Sequence, residues 1–155
     1  MDFNYSEEQL LVQKTAREFA AEQLAPGVAE RDEKMEFPAE QIKMLGEMGF
    51  MGMMVPEEWG GSGFDTVSYS LALEEIAKMD ASAAVPVSVN NSLVCALLYK
   101  YGTDDQKEKY LRKLATGEWL GAFSLSEPQA GSDASNLFTN AEKIGDQYII
   151  NGTKN

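Results

Sequence analysis

Residues 117–125 read Gly117-Glu118-Trp119-Leu120-Gly121-Ala122-Phe123-Ser124-Leu125, and within them the chain changes its periodicity. Trp119, Leu120, Ala122, Phe123 and Leu125 form a short, aromatic-rich apolar run with no helical repeat, which predicts a β-strand. The segments before this run read as helices, and those after it as strands and turns. The expected fold class is therefore mainly α: a helical bundle domain over residues 1–117, followed over 118–155 by the first strands of a β-domain.

Upstream, Thr103 and Gln106 form a capping box, opening a helix with Tyr110, Leu111 and Leu114 that closes at Gly117. Residues 81–99 predict a longer helix ending at Gly102, with Pro86 near its start, where proline is best tolerated. Asp65 or Thr66 caps a helix whose Val67, Leu71, Leu73, Ile76 and Ala77 cover so wide an arc that protein must nearly surround it. The run 50–55 is too apolar for an exposed loop, yet Pro56, Gly60, Gly61 and Gly63 stop any continuation, so a buried turn is expected. Pro38, Ile42, Leu45, Met48 and Gly49 mark a further helix, and 30–36 a short charged segment. Ser6 and Gln9 form the first capping box, for a helix with Leu10, Leu11, Ala16, Phe19, Ala20 and Leu24 on one stripe. Downstream, 138–144 and 147–150 around Gly145-Asp146 predict a hairpin, and Asn151-Gly152 leads toward a third strand. Such a strand would leave its donors and acceptors unpaired three residues past its turn, so the sequence reads as the helical first domain of something longer.

Composition narrows the chemistry. The 155 residues include 13 basic and 25 acidic side chains, a formal charge of -12, one cysteine and no histidine. Without histidine there is no Ser-His-Asp triad, no Cys-His pair and no imidazole-ligated zinc, and no metal site is expected. The acid excess repels phosphate backbones and anionic lipid, which argues against nucleic-acid and membrane-surface roles. No uninterrupted apolar run approaches the ~18 residues of a membrane span. Cys95 has no partner for an internal disulfide, and with no secretory signal the expected location is cytoplasmic.

Residues 121–133, Gly-Ala-Phe-Ser-Leu-Ser-Glu-Pro-Gln-Ala-Gly-Ser-Asp, have the physics of a strand entering a sharply turned loop rich in hydroxyls. Leu125 can present main-chain donor and acceptor to a flat heterocycle and Ser126 can add a hydroxyl, while Pro128 and Gly131 shape a loop whose amides suit phosphate. Three other features read as structure. Glu127 and Asp133 are a common carboxylate pair flanking a turn rather than an acid-base dyad. The methionines at 44, 48, 51, 53 and 54 read as core filler rather than a soft-metal or peptide surface. Gly60-Gly61-Ser62-Gly63 lacks the lysine and the strand-to-helix context of a phosphate loop.

The 121–133 segment resembles the flavin-binding signature of the acyl-CoA dehydrogenases, residue by residue. The resemblance extends to Pro56-Glu57-Glu58-Trp59-Gly60-Gly61-Ser62-Gly63, Glu74-Glu75-Ile76-Ala77, Ser88-Val89-Asn90-Asn91-Ser92-Leu93, Tyr99-Lys100-Tyr101-Gly102-Thr103 and Ile149-Ile150-Asn151-Gly152-Thr153-Lys154. It implies a helical N-terminal domain, a middle β-domain and a C-terminal helical domain, of which this chain covers the first and a little of the second. It implies FAD as cofactor, with Phe123, Leu125 and Ser126 lining the flavin ring and Gly131 and Ser132 near it. Ser132 would also touch the acyl-CoA substrate. Val85 and Val89 are four apart and so share one helical face, where they either close the floor of an acyl pocket or simply pack in the core. The implied activity is α,β-dehydrogenation, most like the short-chain, butyryl-CoA-type members, with electrons passing to an electron-transfer flavoprotein. The glutamate base of the family belongs to its third domain, and a Trp-Ile-Thr strand that contacts flavin is expected just past Asn155, so no catalytic residue is assigned within 1–155. Full-length family members are usually homotetramers. A non-catalytic acidic helical interaction module and an oxygen-using flavin relative are the alternatives.

Overall fold

A computed structural model describes residues 4–155. It divides into two compact units, one reaching Ala122 and the other Phe123–Asn155.

The first unit is helical. Helix α1 runs over Glu7–Phe19 and continues through a π-helical turn, Ala20–Leu24. It starts as the sequence predicts: Ser6 Oγ accepts from Gln9 N at 3.1 Å, and Gln9 Oε1 accepts from Ser6 N at 3.0 Å. Its buried stripe is Val12, Ala16, Phe19, Ala20 and Leu24. Leu10 and Leu11, expected on that stripe, are exposed because they fall outside the arc that faces the neighbouring helices. After α2 (Val28–Lys34) and α3 (Ala39–Glu47), the apolar run from Phe50 forms the buried turn, with Phe50, Met51, Met53 and Val55 inside. Met44 and Met54 pack against the core and Met48 is exposed.

Helix α4 (Thr66–Met79) is capped by Asp65, whose carboxylate accepts from Ser68 N at 2.7 Å. It packs against α1 and is amphipathic rather than surrounded: Val67 and Ala77 face outward while Tyr69, Leu71, Ala72 and Ile76 are buried. A buried charge lies between these two helices. Glu75 accepts from Gln13 Nε2 at 3.0 Å, Arg17 Nε at 3.1 Å and Nη2 at 3.0 Å, and Lys78 Nζ at 3.1 Å. The Arg17 guanidinium first, and the Lys78 ammonium after it, outweigh burial and hold its carboxyl at about 2.

Helix α5 (Ala81–Tyr101) starts at Asp80, which caps it through Ala83 N at 3.1 Å and pairs with Arg31 at 2.9 Å. Its middle, Val89–Cys95, is a π-helical stretch. Among the described residues it is the one helix long and apolar enough to cross a membrane by length and composition, although no uninterrupted run suggests this. Asn90 and Asn91 break the run and spend their amides on the same unit. Asn91 donates to Phe50 O at 2.8 Å and Val87 O at 2.9 Å, and accepts from Met53 N at 2.7 Å. The buried turn is thus pinned to α5. Helix α6, residues 104–115, opens with the Thr103–Gln106 capping box and ends at Gly117 in the left-handed conformation.

The strand expected over 119–125 does not form. A strand exists only with a partner, and among the described residues none pairs with this segment. Trp119 N donates instead to Lys113 O at 3.0 Å and Gly121 N to Asn90 Oδ1 at 2.9 Å.

The second unit holds the hairpin. Strands β1 (Asn140–Ile144) and β2 (Gln147–Asn151) pair antiparallel with Ala141 opposite Ile150 and Lys143 opposite Tyr148. Gly145, at φ 63°, makes the two-residue turn with Asp146.

Candidate functional site

The loop from Phe123 is organised by one carboxylate. Glu127 is buried, and its Oε2 accepts from Phe138 N and Gln129 Nε2, both at 2.6 Å. Its Oε1 accepts from Thr139 N at 3.0 Å and Lys154 Nζ at 2.8 Å. Lys154 also donates to Leu125 O at 2.9 Å, and Asn155 N donates to Ser126 O at 2.9 Å. Glu127 N and Ala130 N each bond the other's carbonyl, closing the turn that carries Pro128. The loop and both ends of the hairpin segment therefore converge on a single side chain.

The Lys154 ammonium, then the Thr139 and Phe138 donors, hold the Glu127 carboxyl far below the usual carboxylate range. An anion with four donors has no lone pair to offer a substrate proton, so its task is to brace the loop. Asp133 turns to Ser135 Oγ. Among the described residues the two carboxylates share no hydrogen-bond partner. The organising role of Glu127 is missing from the sequence reading, because its partners lie two to 27 residues away.

The braced loop presents the residues singled out from the sequence. Phe123 is 43% and Leu125 39% exposed, and Ser126, Gly131 and Ser132 are exposed as well. The Leu125 amide donates no hydrogen bond among the described residues. At Gly131 an added Cβ would meet no atom within 4 Å. This surface joins apolar side chains, a main-chain donor, two hydroxyls and open space beside a glycine, which suits a flat heterocycle with a polar edge and a phosphate tail. Val85 and Val89 belong to the helical unit, where Val85 is 60% exposed and Val89 half-buried. Among the described residues no cluster of His, Cys, Asp or Glu could hold a metal ion. Cys95 is buried, and burial pushes its thiol up to about 12, which leaves it protonated and inert.

The described chain is thus a capped helical bundle followed by a hairpin-bearing unit with an exposed hydroxyl loop. The chain belongs to the acyl-CoA dehydrogenase family, whose N-terminal domain matches residues 6–118. It is 45% identical over 154 residues to the short-chain specific acyl-CoA dehydrogenase of Clostridium acetobutylicum, covering 99% of this chain and 41% of that protein. Butyryl-CoA dehydrogenase from Megasphaera elsdenii superposes with a TM-score of 0.92 at 44% identity, over 99% of this chain and 41% of that one. The FAD complex of PigA does so with a TM-score of 0.93 at 29% identity, over 99% and 41%. The chain thus spans 41% of the length of the Clostridium relative.

Proposed function

We propose that this chain is the N-terminal part of an FAD-dependent enzyme that dehydrogenates a short-chain acyl-CoA thioester to the trans-2-enoyl-CoA and passes the electrons to an electron-transfer flavoprotein. The observation that carries the reading is the Phe123–Ser132 loop, whose exposed apolar and hydroxyl groups are held in place by buried Glu127. Phe123 and Leu125 offer apolar surface to the ring, while Leu125 N–H and the Ser126 hydroxyl offer contacts to its pyrimidine edge. Gly131 leaves room for the rest of the cofactor, and Ser132 reaches both cofactor and acyl-CoA. Bound FAD supplies the acceptor for the hydride that leaves the thioester β-carbon.

Val85 and Val89 limit the length of the acyl chain in this reading, and the names of the Clostridium and Megasphaera relatives support a short one. Glu127 holds the loop and moves no proton. The α-proton passes to a glutamate that the family resemblance puts in a third domain, so residues 1–155 by themselves do not turn over acyl-CoA. A cytoplasmic location, supported by the single Cys95 and by the bacterial relative, and the homotetramer that the family resemblance implies complete the proposal.

The test uses the full-length protein that carries this chain. It should purify with FAD or take it up, reduce an electron-transfer flavoprotein or a dye with butyryl-CoA, and do so faster than with octanoyl-CoA. Ser126→Ala should weaken FAD binding or shift its spectrum, since one such hydrogen bond contributes ~0.5–1.5 kcal/mol. A protein that takes up no FAD, or whose reduced flavin reacts with oxygen and not with the flavoprotein, refutes the dehydrogenase reading.

A further inference from the structure

Asn90 has no exposed surface, and both ends of its amide are hydrogen-bonded. Nδ2 donates to Met51 O at 2.7 Å and Leu114 O at 3.0 Å, on the buried turn and at the end of α6. Two carbonyls demand the donor end of the amide, so the acceptor end has no choice of direction. It accepts from Gly121 N at 2.9 Å. Gly121 permits that approach by lacking a side chain: a Cβ there would lie 2.9 Å from Asn90 Oδ1 and from Val94 Cβ and Cγ1. With the Trp119 N to Lys113 O bond, this contact straps residues 117–121 to the helical unit two residues before Phe123. The same π-helical stretch of α5 carries Val89, the residue before Asn90.

Resting on the functional reading above, we infer that Asn90 is a positioning residue for the flavin site: through Gly121 it fixes where the chain leaves the helical unit and enters the Phe123–Ser132 loop. Asn91 is the internal control, because it is equally buried in the same stretch but bonds only to Phe50, Met53 and Val87.

The experiment compares Gly121→Ala, Asn90→Ala and Asn91→Ala in the full-length protein, at a temperature well below the lowest unfolding midpoint. Three quantities are read: amide hydrogen exchange at Gly121 and Ala122 in the flavin-free protein, the FAD dissociation constant, and the visible spectrum of the bound flavin. Gly121→Ala and Asn90→Ala should speed exchange, weaken FAD by about tenfold, the scale of one lost hydrogen-bond restraint, and shift the spectrum. Asn91→Ala should lower the unfolding midpoint and leave the flavin spectrum and affinity as in wild type. Gly121→Ala is the milder change and keeps the test decisive if Asn90→Ala does not fold. Wild-type flavin behaviour in Gly121→Ala, or an equal flavin effect in Asn91→Ala, overturns the inference while the functional reading stands. A wild-type protein that takes up no FAD overturns both.

Discussion

Replacing Asn91 with leucine keeps the branched outline of the side chain, although with greater bulk, and removes every hydrogen bond it makes. Met53 N–H and Phe50 C=O would then lose the partners that pin the buried turn to α5, at 2.7 and 2.8 Å. Each buried, unpaired backbone group costs ~1–3 kcal/mol, so the two together cost ~2–6 kcal/mol. Against a typical domain stability of ~5–15 kcal/mol, that is a large share. With a urea dependence of ~2 kcal/mol/M, the midpoint followed by far-UV circular dichroism, which reports the helical unit, should fall by roughly 1–3 M. Asn91→Asp sharpens the test. It keeps the acceptor for Met53 N but sets a carboxylate oxygen against Phe50 O and Val87 O, where Nδ2 now donates. Burial beside two carbonyls raises the pKa of that carboxyl, so the variant should be least stable at neutral pH and recover as pH falls and it regains a donor. Ser92→Ala, at an exposed neighbour that bonds only within its helix, should change stability by less than ~0.5 kcal/mol. An Asn91→Leu midpoint within error of wild type, or an Asn91→Asp deficit indifferent to pH, would refute the assignment of these bonds as the clamp on the turn.

Three further outcomes follow from named contacts. Glu127→Gln should speed hydrogen exchange at Phe138 and Thr139 and loosen the loop; in wild type the bracing is complete above about 4.5 and is lost only as pH falls toward the lowered value, so unchanged exchange in the variant would remove Glu127 as the brace. Glu75, held at about 2 against an ordinary 4.5, contributes stability that is fully present above 4.5 and fades as pH falls toward 2, so Glu75→Gln should flatten the acid-unfolding curve across that window, and an unflattened curve would count against it. Val85→Ala combined with Val89→Ala in the full-length protein should move the ratio of kcat/KM from butyryl- toward octanoyl-CoA, by ~0.8 kcal/mol for each methylene newly buried, with the stability cost coming from half-buried Val89 rather than from exposed Val85. An unmoved ratio would take both valines out of the acyl pocket.

Local chemistry was legible in the order of residues. Ser6 with Gln9 and Thr103 with Gln106 name their own partners three residues away, and Gly145-Asp146 sets the register of a hairpin whose strands are its neighbours. The loop at Phe123–Ser132 could be marked as a candidate cofactor surface for the same reason: its apolar, hydroxyl and glycine positions are contiguous. The features that failed or were missed all depend on partners distant in sequence. The apolar run 119–125 has strand composition, but composition supplies no second strand, and the segment follows Lys113 and Asn90 instead. Asn90 and Asn91 look like interruptions of an apolar helix until the fold brings Phe50, Met51, Met53, Leu114 and Gly121 to their amides. Glu127 looks like one acid among 25 until Phe138, Thr139 and Lys154 converge on it. Caps, turns and periodicity are set by bonds that close within a few residues and so can be read along the chain. A buried polar group is set by whichever backbone groups packing leaves without water, and only the tertiary structure decides which those are.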